Sequence, residues 1–121
     1  MPVTLAGTAA VPIPVEAPRA SRGTPVLMIA ARGVHDPRAS RAAVRVELAR
    51  ADGRAEEIGN FAFFGAPPGE DEQVFAFPLA PAHAEALARG EARVQATLHA
   101  ADERADLAGL RFEVRAWIET R

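Results

Sequence analysis

The chain has no cysteine, no tyrosine, no lysine and one tryptophan among 121 residues. Without cysteine there is no disulfide framework, no thiolate zinc site and no thiol nucleophile, and the redox compartment cannot be read from thiol usage. All fourteen basic residues are arginine and are spread along the chain against sixteen acidic ones, a net charge of −2. The arginine and alanine usage reads as coding bias of a GC-rich genome. Nucleic-acid binding needs a clustered basic footprint, so no nucleic-acid partner is expected. No apolar run approaches the length of a membrane span, and no membrane partner is expected. The opening MPVTLAGTAA has neither the basic nor the apolar region of a signal peptide. The expectation is a soluble chain, cytoplasmic unless exported with a partner.

What is present is punctuation. Ten prolines and nine glycines divide a chain that is 49% hydrophobic and 25% charged, which suits many short strands in a single domain spanning 1–121. Residues 1–24 read as an extended edge segment, because Pro12 and Pro14 lack the donors that a central strand needs. PVLMIAAR, Pro25 to Arg32, is a short continuous apolar run, expected as a strand buried on both faces. In Ala43 to Arg50 the alternation puts Val44, Val46 and Leu48 inward, and Asp52-Gly53 then signals a hairpin. The return strand runs through EIGNFAFFG, where Phe61 and Phe63 share one face and Phe64 takes the other.

Phe75, Phe77 and Leu79 share a face of the next strand. APAHAEALARG is the one helix expected, with Pro81 in its first turn and Gly90 at its stop. Val94, Ala96 and Leu98 point inward from the following strand, and Leu110, Phe112, Val114, Ala116 and Ile118 from the last. About seven strands and one short helix define an all-β class: an antiparallel β-sandwich or open barrel.

No set of residues declares a reaction. Ser21 and Ser40 lie in arginine-flanked loops without a nucleophile-elbow pattern. Glu56, Glu57, Glu70, Asp71 and Glu72 cluster in turns as solvated charges, and GAPPGE is not followed by a helix that would make it a phosphate loop. His35, His83 and His99 lack the spacing that puts two imidazoles on one metal, and spacing gives no support to a soft copper site that adds Met28. Catalysis by this chain is not expected, and neither a cofactor nor a metal site is assigned. Two aromatics are candidates for contact with a partner. Alternation sets Trp117 on the charged side of the last strand with Arg111, Glu113, Arg115 and Glu119, and Phe64 opposes its buried neighbours. Exposed tryptophan is a common interface anchor, although covering a sheet is a sufficient structural role for it.

The order AAVRVELARADGRAEEIGNFAFFG, then VFAFPLAPAHAEALARGEARVQATLHAADERADLAGLRFEVRAW, resembles the C-terminal β-domain of tyrosinases and polyphenol oxidases. The similarity runs from about Pro25 to Ile118. A strand at Val44 to Leu48 leads to Ile58-Gly59. A short strand ends at Phe64-Gly65. A strand containing Phe77 leads to a helix containing Leu87. These motifs are short and apolar, and their order carries the resemblance. It implies a domain that shields the copper site of a separate helical catalytic domain, in cis or in trans. The small caddie proteins of bacterial tyrosinases act in trans and help copper load. Two copper-binding histidine triads have no counterpart here. The caddie's plug is a tyrosine, absent from this chain; a phenylalanine would fill the pocket without the hydroxyl. The expected function is a non-catalytic accessory domain that covers or helps mature a type-3 copper oxidase. The alternatives are a copper-delivery chaperone for such an enzyme and a general interaction β-sandwich unrelated to copper.

Overall fold

A computed structural model describes residues 3–6, 10–16, 23–35, 42–62, 72–100 and 111–120. The elements are β1 (Val3–Ala6), β2 (Val11–Ile13), β3 (Val15–Glu16), β4 (Pro25–His35), β5 (Ala42–Arg50), β6 (Ala55–Ala62), β7 (Gln73–Pro78), α1 (Pro81–Ala88), β8 (Ala92–Ala100) and β9 (Arg111–Thr120). They form two sheets. Sheet A has the order β1-β9-β4-β7, with β3 added alongside β9, and sheet B has the order β2-β8-β5-β6. All pairings are antiparallel except β3 with β9. Two open sheets, not a closed barrel, make this the expected β-sandwich. With β3 set aside, the strand order is that of a jelly roll, in which two Greek keys interlock.

The strands follow from the alternation. Val44, Val46 and Leu48 of β5, and Val94, Ala96 and Leu98 of β8, are buried between the sheets. Facing them are Leu27, Ile29 and Ala31 of β4 and Phe112, Val114, Ala116 and Ile118 of β9. Leu110 and Phe63 lie outside the described residues. The expectation for Pro25 to Arg32 holds: every residue from Val26 to Ala31 is buried. Leu27, Ile29 and Ala31 face sheet B, while Val26, Met28 and Ala30 face outward and lie opposite Glu119, Trp117 and Arg115 of β9.

The N-terminal segment is an edge, as its prolines require, but it serves two sheets. β1 pairs with β9, β2 with β8, and β3 with β9 again. The described strands therefore number nine. Pro12 and Pro14 also protect these edges, since a proline offers no donor to a foreign strand.

The β5–β6 hairpin differs from a two-residue turn. The Gly53 N–H donates to the Arg50 carbonyl at 3.0 Å and the Arg50 N–H to the Arg54 carbonyl at 2.8 Å, which closes a loop of Ala51, Asp52 and Gly53. Gly53 holds the left-handed position at φ 88°, and the Asp52 carboxylate accepts from the Arg54 N–H at 2.9 Å. The aspartate thus shapes the loop through its side chain.

The helix begins at Pro81, which fits the first helical position because its missing N–H would have had no helical partner. It ends in a Schellman motif: Glu91 N–H donates to the Ala86 carbonyl and Gly90 N–H to that of Leu87, with Gly90 at φ 72°. Buried Ala86 and half-buried Ala84 and Leu87 pack on the sandwich end. The His83 ring nitrogen meets a Glu56 carboxylate oxygen at 2.7 Å, fixing the helix to β6.

Candidate functional site

The two outer faces of the sandwich differ in chemistry. On sheet B the outward positions include Arg45, Glu47, Glu57, Asn60, Arg93, Gln95 and Thr97, a polar surface. On sheet A, an apolar strip crosses three strands. Val74, Ala76 and Pro78 of β7 lie opposite Ala30, Met28 and Val26 of β4, and Met28 in turn lies opposite Trp117 of β9. Val74 is 48% exposed, the one large hydrophobic residue among those described that is so open.

Trp117 takes the outward position that alternation predicts, half-buried and outside the core. Its ring is held on both sides along its own strand. The indole Nε1–H donates to Glu119 Oε1 at 3.0 Å, and the Arg115 guanidinium carbon lies 4.6 Å from the ring centroid, a cation–π contact. Arg115 is itself anchored, donating through Nη2 and Nε to the two carboxylate oxygens of Glu72 at 2.9 and 3.3 Å. The fork hydrogen bond from Arg115 is the main cause that holds the Glu72 carboxyl below its ordinary value, against a smaller opposing effect of desolvation. The same bond pushes Arg115 up. A second ion pair, Arg32 to Glu113 at 3.2 Å, lies further along the face. Charges that border the strip are thus paired within the domain. What the face offers is apolar area and a pre-oriented aromatic ring.

Phe64, the other contact candidate, lies outside the described residues. The signal for Val74, Ala76 and Pro78 was present in the sequence: if Phe75, Phe77 and Leu79 share one face, the residues between them take the other. The Arg115–Glu72 fork joins residues 43 positions apart, and local pattern carries no information about it.

His83 and His99, the two histidines whose side chains are described, do not converge. His83 is on α1 with Glu56. His99 alternates outward from sheet B opposite Ala43, and its buried Nε2 has no hydrogen-bond partner among the described residues. His35 lies at the end of β4 opposite Arg111. Met28, 6% exposed, is on the outer side of the opposite sheet from His99. Among the described residues no three histidine, aspartate or glutamate side chains form a metal-holding cluster, and no helix is long and apolar enough to cross a membrane.

Taken together, the two open sheets and the apolar outer strip define a β-sandwich with one chemically distinct face. Comparison with protein-family models, curated proteins and solved structures finds no match to this chain.

Proposed function

We propose that this chain is a non-catalytic accessory domain that docks through the outer face of sheet A. Trp117 is the anchor, and Val74, Ala76 and Pro78 supply the apolar floor. The partner implied by the resemblance is the helical catalytic domain of a type-3 copper oxidase, which this domain would cover or help to mature. The observation that carries the docking reading is the contrast between the faces. One mixes charged and amide side chains with small alanines; the other joins an exposed valine to a tryptophan fixed by Arg115 and Glu119. Aromatics offer large contact area with few rotors to freeze, and interfaces concentrate their energy in such residues.

The copper-delivery alternative requires Met28 or the histidines to be exposed and close together. Met28 is nearly buried on the outer side of sheet A, while His99 alternates outward from sheet B and His83 lies on α1, a separation that gives it no support. The general interaction reading uses the same face with another partner.

The test mixes the purified chain with the catalytic domain of a bacterial tyrosinase. Complex formation is followed by size-exclusion chromatography and phenol oxidation by absorbance. A complex with reduced or delayed oxidation, weakened by Trp117→Ala, is the expected result. No complex and unchanged oxidation would remove the copper-oxidase partner. A complex indifferent to Trp117→Ala would remove the docking face.

A further inference from the structure

At the end of the sandwich that carries α1 lies an open apolar groove of about 210 Å³. Its walls are the crossover Ile13–Pro14–Val15, the run Ala92–Arg93–Val94, and Leu87 of the helix. It exists because a ladder stops early. β2 pairs with β8 from Val11 opposite Ala96 to Ile13 opposite Val94. The chain then leaves sheet B, and Val15 pairs with Ala116 in sheet A. On the abandoned stretch of β8, Arg93 and Ala92 have lost the neighbours that a longer β2 would have given them.

The backbone alternation can be worked out from Pro12. It has no N–H, so the Pro12–Gln95 pair sits at a position without ladder bonds, and Ile13–Val94 is a bonding pair. The next bonding position of β8 toward this edge is Ala92. Its N–H and C=O therefore face the groove. The floor is apolar and sealed, with Ile13 at 3% and Val94 at 0% exposure. Arg93 points to the solvent side of sheet B, and among the described residues it joins no ion pair.

We propose that this groove binds an extended peptide segment of a partner protein, an acidic residue followed by an apolar one, laid along β8 where β2 leaves off. Each part of the site has a use. The Ala92 backbone groups continue the ladder, as in other cases of strand addition to a sheet edge. A residue opposite Arg93 projects outward, where a carboxylate meets the unpaired guanidinium. The next residue projects inward, where an aliphatic side chain fills the groove over Ile13, Leu87 and Val94. Charge complementarity sets the order acidic then apolar, because the added strand runs antiparallel to β8 as β2 does. This site lies on the edge of sheet B and is independent of the Trp117 face.

The experiment is a titration of the full chain, labelled for backbone-amide NMR, with the capped peptide acetyl-Thr-Glu-Leu-Thr-amide. Saturable shifts are expected at Ile13, Val15, Leu87 and Ala92 to Val94. Arg93→Glu, an exposed change that leaves the core intact, should weaken binding about tenfold or more, as loss and reversal of a close charge contact does. The peptide with lysine in place of its glutamate should then bind the variant better than the native chain. Three results would overturn the proposal: no saturable shift at millimolar peptide, shifts that gather instead around Trp117, or equal binding of the two peptides. Binding of free 4-methylpentanoate as tight as the peptide would also overturn it, since the groove would then take a small carboxylate and not an extended segment.

Discussion

Gly59 lies directly beneath the ring of Phe77: a Cβ built on Gly59 would stand 2.5 Å from Cδ1 and 2.7 Å from Cε1 of that ring. β6 and β7 are the edges of opposite sheets, and their seam is closed by aromatics. Phe61 stacks on Phe75 at a centroid distance of 4.3 Å and meets Phe77 at 6.3 Å. Glycine at this position lets the ring approach the backbone. Gly59→Ala should therefore destabilise the domain by about 1–3 kcal/mol, the usual range for overpacking. Denaturant unfolding measures it, and Phe77→Leu in the same chain should recover part of the loss because the two sites are in contact. Equal costs in both backgrounds would show that the ring is not what alanine meets.

Gly90 makes the opposite case. Nothing lies within 4 Å of a Cβ built there, yet its φ is 72°. Gly90→Ala should cost about 1 kcal/mol through backbone conformation alone, and Gly90→Asn less, because asparagine visits the left-handed region more readily. Thermal unfolding of both variants checks the order. Alanine as stable as glycine would mean that the helix ends without the Schellman geometry.

The Glu72 carboxyl is held low by the Arg115 fork. A group whose folded pKa is depressed adds stability above its unfolded value, near 4.3 for glutamate. That contribution is lost as pH falls through the folded value. Side-chain NMR titration should therefore place the Glu72 midpoint below that of an unpaired glutamate, and Arg115→Ala should move it upward. An unchanged midpoint in the variant would assign the depression to something other than the fork.

Much of this fold was legible because its strands obey the period of two. Val44, Val46 and Leu48, or Phe112, Val114 and Ala116, announce their faces without help from distant parts of the chain. The outward position of Trp117 followed from the same rule. What local pattern could not convey was which strand pairs with which. The passage of one N-terminal segment between two sheets depends on β8 and β9, from 81 residues away (Ile13 to Val94) to 111 (Val3 to Val114) in sequence. The groove beside Arg93 is a consequence of that crossover and was invisible for the same reason. The Asp52-Gly53 signal located the hairpin, where Gly53 takes the left-handed position of a three-residue loop.

Trp117 is the sole tryptophan, so its emission reports on the proposed docking face without labelling. In the free domain the ring is half-buried, packed by Arg115 and bonded to Glu119. Trp117→Ala should leave the domain folded. The expected cost is about 1–2 kcal/mol, less than the 3–5 typical of a fully buried aromatic, since only part of the ring is removed from water. Docking should cover the remaining exposed edge and shift the emission to shorter wavelength. Because the neighbouring charges are already paired within the face, this shift should titrate with nearly the same midpoint at low and moderate salt. An interface steered by unpaired rim charges would weaken markedly as salt rises. The alanine variant should lose about 2 kcal/mol or more of binding free energy, the mark of an anchor. Unfolding of the variant by more than about 4 kcal/mol would place the ring in the core's energetics. Unchanged native emission at saturating partner would move the interface elsewhere on the sandwich.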